Sequence, residues 1–112
     1  METLELVKSI KNALDDKKAE EVTILDISEI SSIADYFIIA NGNNPNQLTA
    51  MQDACDEAME KVGVHAKQIE GNNNSTWILM DYSDIIIHLF SKEDRQFYNL
   101  ERIWKDAKPV EL

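Results

Sequence analysis

Asp81, Asp84 and His88 fall within eight residues of one another. A carboxylate pair beside a histidine is raw material for acid–base work or for holding a divalent ion. Each of the three also has a plainer role. Alternation places His88 with Ile86 and Phe90 on one face of a strand, and Ile85, Ile87 and Leu89 on the other. A histidine in such company is commonly a hydrogen-bonded, partly buried residue. Asp81 and Asp84 flank a tight turn, where aspartate is frequent for backbone reasons alone. His65 and His88 sit on separate predicted strands, without the spacing of a zinc site. Cys55 falls on the apolar stripe of a predicted helix, with no histidine tied to it by a local motif, and reads as inert packing. Gly42, Gly63 and Gly71 are the only glycines and none forms a glycine-rich phosphate loop. The pattern lacks the parts of an enzyme, and neither a cofactor nor a metal is expected.

The aromatic residues suggest binding instead. Trp77 shares a strand face with Leu79 and Asp81, while Thr76, Ile78, Met80 and Tyr82 share the opposite one. Trp, Tyr and Arg are favoured anchors of protein interfaces, and Arg95, Tyr98 and Trp104 supply the same chemistry further on. Of these, Trp104 reads better as core. Charge points the same way. Residues 1–90 hold 16 acids against 6 bases, and so carry the whole formal charge of −10. Residues 91–112 are balanced and contain both arginines, Arg95 and Arg102. Phosphate backbones are gripped by clustered Lys and Arg, so broad nucleic-acid binding is disfavoured. An acidic surface is suited to a basic partner.

The elements that must position these side chains are legible in outline. Leu6, Val7, Ile10 and Leu14 recur at helical spacing, with Thr3 placed to cap the first turn. Residues 22–27 read as a first strand, and Tyr36–Ala40, apolar on both faces, as a central covered one. The next helix has the clearest signals: Asn44 as cap, Pro45 at its first position, Gln47 completing a capping box and Gly63 as stop. Its buried stripe is Leu48, Met51, Cys55, Ala58, Met59 and Val62. Residues 64–70 form a modest strand closed by Gly71-Asn72-Asn73-Asn74, and residues 76–80 and 85–90 a hairpin. Ser91, with Asp94 three residues on, opens a last helical segment in which Phe97, Leu100 and Trp104 recur. The expected fold is α+β: a mixed sheet of about five strands, two long helices and a short C-terminal helical segment. If both long helices lie on one face, the other is open to a partner.

At 112 residues the chain suits one domain with a core that needs no staples. A single cysteine rules out a disulfide within the chain. No apolar run approaches a membrane span, and the start lacks a basic segment followed by an apolar one, so a cytoplasmic protein is expected.

Four blocks carry a family resemblance: residues 31–39 (Ser-Ser-Ile-Ala-Asp-Tyr-Phe-Ile-Ile), Ile69-Glu70-Gly71, the run from Trp77 to Phe90, and the run from Arg95 to Trp104. In this order the chain resembles the Iojap family, the ribosomal silencing factors, from about Val22 to Trp104. Where that family often has Ser before the second helix, this chain has Asn44, an equivalent cap. It ends soon after Trp104, so no added C-terminal function is expected. The resemblance implies a fold like the nucleotidyltransferase superfamily without its catalysis. Transfer chemistry needs a Gly-Ser turn and a nearby carboxylate pair, whereas Asn41-Gly42-Asn43-Asn44 follows the central strand here. It further implies binding to the large ribosomal subunit through ribosomal protein fourteen, which blocks subunit joining and lowers translation when nutrients are scarce, and association as dimers. On that footing the expected partner-binding residues are Trp77, Asp81, Tyr82, Asp84, His88, Arg95 and Tyr98. Asp81 and Asp84 would meet lysines or arginines, Trp77 and Tyr98 would bury apolar area, and His88 would orient or hydrogen-bond. Two alternatives stand beside this: a divergent enzyme holding magnesium on Asp81 and Asp84, and a homodimer that buries the Trp77 face against itself.

Overall fold

The computed structural model describes residues 3–71 and 76–111, so the Asn72-Asn73-Asn74 breaker lies outside the described residues. Helix α1 (Thr3–Asp16) buries Val7, Ile10 and Leu14, the stripe its spacing predicts. Helix α2 (Pro45–Glu60) begins where the sequence directs. Asn44 is extended at φ −158°, and its side chain accepts the Gln47 N–H at 2.8 Å. Gln47 reaches one residue further back than a capping box requires, accepting from Asn43 N at 2.7 Å. Its amide nitrogen donates to the carbonyls of Lys17 and Lys18 at 3.1 and 3.0 Å, tying the start of α2 to the end of α1. Gly63 closes the helix at φ +78°, in the left-handed region that glycine enters freely. Leu48, Met51, Cys55 and Met59 form the buried stripe of α2.

Among the described residues six strands make one sheet: β1 (Glu20–Asp26), β2 (Tyr36–Gly42), β3 (Gln68–Glu70), β4 (Trp77–Asp81), β5 (Ile85–Ser91) and β6 (Lys108–Pro109). Their spatial order is β3-β4-β5-β2-β1-β6. Only β2 and β5 run parallel; every other pair is antiparallel. Both members of the parallel pair are covered on both sides, which explains why each reads as a near-continuous apolar run. The expected hairpin is β4–β5, turning through Ser83 at φ +72°. The Asp84 carbonyl accepts from Asp35 N and Tyr36 N at 2.9 and 3.1 Å, so this turn also fixes where β2 starts.

Strand parity builds two cores. On one face Ile24, Ile38, Ala40, Ile78, Met80, Ile85, Ile87 and Leu89 meet α1 and α2. On the other, Leu25, Ile27, Phe37, Ile39 and Phe90 gather with Ala34 and Ala107, and with the partly buried Trp77, Ile86, Leu100 and Trp104.

Four expectations need correction. A sixth strand, β6, closes the sheet beside β1, pairing Leu25 with Pro109 and Asp26 with Lys108. The tail is two short helices, α3 (Lys92–Tyr98) and α4 (Leu100–Ile103), broken at Asn99, which sits at φ +45°. That break turns Phe97 out to 81% exposure, while Leu100 and Trp104 face the sheet. The second face is therefore not open along its length: the segment from Leu100 to Ala107 covers its β1–β2 half. The predicted strand over 64–70 contracts to β3, since only Gln68–Glu70 pair with β4.

Candidate functional site

Among the described residues, the segment from Leu100 to Ala107 leaves the β4 side of the second face partly exposed, and aromatic rings dominate it. Trp77 lies 5.0 Å from Phe90 and 4.7 Å from Tyr98, centroid to centroid, and Tyr98 meets Phe97 edge-on at 5.1 Å. Phe37, edge-on to both His88 and Trp104 at 5.0 Å, roots this run in the core. The run thus climbs from buried Phe37 to Tyr98, 41% exposed, and the bare Phe97. Such arrangements fix ring orientation as well as burying area. Trp77 also walls a hollow of about 180 Å³ together with Glu70, Gly71 and Leu79. Gly71 sits at φ +125°, so close to β4 that a Cβ there would lie 3.0 Å from Ile78 Cγ1.

His88 is buried beneath this run. Its Nδ1 accepts the Trp77 indole N–H at 3.2 Å, and among the described residues its buried Nε2 has no partner. Burial pushes the imidazole pKa down to about 4, so the ring is neutral at pH 7. Asp81 and Asp84 sit at the turn end of the β4–β5 hairpin, opposite the Trp77–Phe90 end, Asp81 half-buried and Asp84 exposed. Asp81 Oδ1 accepts the Ser83 N–H at 2.8 Å, so this carboxylate shapes its own turn. Among the described residues, no group of three or more His, Cys, Asp or Glu is placed to hold a metal ion.

Two of the seven expected residues lie elsewhere. Tyr82 follows the parity of Ile78 and Met80 into the helix side, where it is 6% exposed and its hydroxyl donates to Asp56 Oδ1 at 2.8 Å. Burial and that carboxylate raise the phenol pKa well above its usual range. Arg95 is only 7% exposed and is spent internally. Its guanidinium donates to Glu101 Oε1 at 3.0 Å, the Glu21 carbonyl at 2.6 Å, Asn41 Oδ1 at 2.9 Å and Thr23 Oγ1 at 2.9 Å. This clamp ties α3 to the bulge of β1, where Glu21 adopts φ +49°. Trp77, His88 and Tyr98 are brought together, whereas Asp81 lies at the far end of β4 and Asp84 in the turn beyond it. Phe97, Glu70 and Leu79 were not among the expected residues; for Leu79 the signal was its parity with Trp77. Cys55 is fully buried, with its thiol pushed up to about 12 mainly by burial, as inert packing requires.

Among the described residues no helix is long and apolar enough to cross a membrane. The family model described as "Ribosomal silencing factor during starvation" matches residues 1–112. A protein named ribosomal silencing factor RsfS from Halalkalibacterium halodurans is 41% identical over 112 residues, spanning 100% of this chain and 96% of that one. Its namesake from Bacillus subtilis is 37% identical over 107 residues, 96% of this chain and 91% of its own. A crystal structure of a Bacillus halodurans protein superposes with a TM-score of 0.86 at 37% identity, covering 98% of this chain and all of that one. With the match running from end to end and relatives this close, the chain belongs to the ribosomal silencing factor family.

Proposed function

We propose that this protein represses translation by docking on the large ribosomal subunit, through ribosomal protein fourteen, and standing in the way of the small subunit. The relatives it resembles are named as silencing factors, and the family model adds starvation as the occasion. The observation that carries the reading is the uncovered aromatic run, Trp77–Tyr98–Phe97, surfacing in a chain of formal charge −10. A basic ribosomal protein complements that charge, and apolar anchors give it something to bury. In this reading Trp77 and Tyr98 are the anchors, Asp81 and Asp84 pair with lysines or arginines of the partner, and the site of action is the cytoplasm. Obstruction requires no transformation of a substrate. A dimer that covered Trp77 would compete with docking, so the active species on the ribosome is one copy.

The test is co-sedimentation with isolated large subunits by wild type and by an Asp81→Lys, Asp84→Lys variant confirmed to be folded. Reversing two charges at the edge of the face is expected to lower occupancy at least tenfold, roughly 1.4 kcal/mol or more. Unchanged occupancy removes both carboxylates from the interface. Failure of the wild type to sediment with large subunits rejects the function.

A further inference from the structure

The hydrogen bond between Trp77 and His88 determines more than its length suggests. An indole nitrogen can only donate, so the accepting Nδ1 of His88 is bare and the neutral ring carries its proton on Nε2. Among the described residues that Nε2–H finds no acceptor although it is buried, in a residue only 5% exposed. An unpaired buried donor is costly, and its persistence in a core requires an explanation. Packing does not supply one. The His88 ring is surrounded by Phe37 at 5.0 Å, Trp77 at 6.0 Å and Phe90 at 6.1 Å, an environment that suits a phenyl ring better than an imidazole. What a phenyl ring lacks is Nδ1, the acceptor that Trp77 uses. The indole also lies against Phe90 and Tyr98, tilted to both rings, but the acceptor its N–H finds is His88 Nδ1.

We propose that His88 is a positioning residue of the docking face: it locks the Trp77 indole in the orientation a partner meets, and the unpaired Nε2–H is the cost of that lock. The inference rests on the docking role given above to the Trp77 face. It separates two properties that usually move together, because removing His88 relieves the core while loosening the anchor.

His88→Phe and His88→Asn test it, each measured for thermal stability, for hydrogen exchange of the Trp77 indole N–H by NMR, and for large-subunit binding. His88→Phe is expected to melt at or above the wild-type temperature, to exchange its indole proton faster, and to bind large subunits roughly tenfold more weakly. His88→Asn, whose side-chain oxygen can stand near the place of Nδ1, is expected to recover most of the protection and the binding. A merely structural histidine would give no such rescue. Wild-type indole protection or wild-type binding in His88→Phe overturns the proposal. Should that variant not fold, Trp77→Phe keeps an aromatic ring and deletes the donor; binding as tight as wild type overturns it equally. Trp77→Ala tells the two readings apart. If it binds normally, the docking face itself is wrong and this proposal falls with it. If it loses binding while His88→Phe does not, only the positioning role is rejected.

Discussion

The Tyr82 hydroxyl and the His88 ring show how one hairpin sends neighbouring polar groups to opposite ends of the molecule's business. Tyr82 donates to Asp56 on the helix side, so its contribution is to stability. Tyr82→Phe should lower unfolding free energy by about 1.5–3 kcal/mol, the range for a hydrogen bond to a charged acceptor, and reduce Tm by several degrees. Denaturant titration measures the first, and large-subunit co-sedimentation should not change. His88 makes a pH prediction. Its pKa falls from 6.5 in the unfolded chain to about 4 when folded. Between those values the unfolded state binds the extra proton, so stability is lost as pH drops through that window and is intact above it. The loss amounts to about 3 kcal/mol at pH 4. His88→Phe should remove it, so the difference between wild-type and variant unfolding free energies, measured from pH 7 to pH 4, should change by that amount. The parity of both side chains was legible in the sequence, because a strand alternates with period two. The destiny of Tyr82 was harder to read, since it sits one residue past the end of β4, where a turn was expected to free it.

Arg95 and Gly71 belong to the scale of elements, where distant parts of the chain are joined. The partners of Arg95 other than Glu101 lie 54 to 74 residues away, on β1 and β2, so no local pattern could reveal the clamp. A cation near the end of a short helix reads as surface chemistry until the fold brings Glu21, Thr23 and Asn41 to it. Arg95→Met should cost about 3–5 kcal/mol, as removal of one partner from a buried polar network does, and should release the C-terminal segment first. Hydrogen exchange over residues 95–107 checks the order of release. Lys is no substitute, having no planar fork to reach several acceptors at once. By contrast, the Lys108–Glu29 ion pair, 2.8 Å long but exposed on both sides, should be removable without measurable effect. Gly71→Ala combines φ +125° with a Cβ only 3.0 Å from Ile78 Cγ1 and 3.2 Å from its Cα. It should destabilise by about 1–3 kcal/mol and disturb the β3–β4 pairing beside Trp77, visible as line broadening or shifts at the indole. Helices and central strands were legible because caps and periodicity are local. Strand β6 escaped notice because two residues, one of them proline, carry no periodicity, and the α3–α4 break because asparagine can enter the left-handed region without announcing it.

Across the whole molecule the decisive feature is asymmetry between the two faces of the sheet. Two long helices seal one side, and the short helix α4 with the turn after it seals only half of the other. Composition cannot reveal which half, because the answer depends on where Leu100, Trp104 and Ala107 land. That arrangement leaves the apolar run at one end of an acidic body, and it makes salt the natural probe of docking. If attraction to a basic protein brings the two together, affinity should fall as the screening length shrinks from about 30 Å at 0.01 M to about 3 Å at 1 M salt. The aromatic contacts, indifferent to screening, should set a residual affinity that Trp77→Ala abolishes and that Asp81→Lys, Asp84→Lys leaves in place. Co-sedimentation of the three proteins with large subunits over that salt range separates the contributions. Preformed ribosomes provide the remaining comparison: a factor that acts by obstruction should bind them far less than free large subunits at every salt concentration. Equal binding to both would mean that the docked protein leaves the subunit interface clear, and that silencing, if it occurs, works by some route other than obstruction.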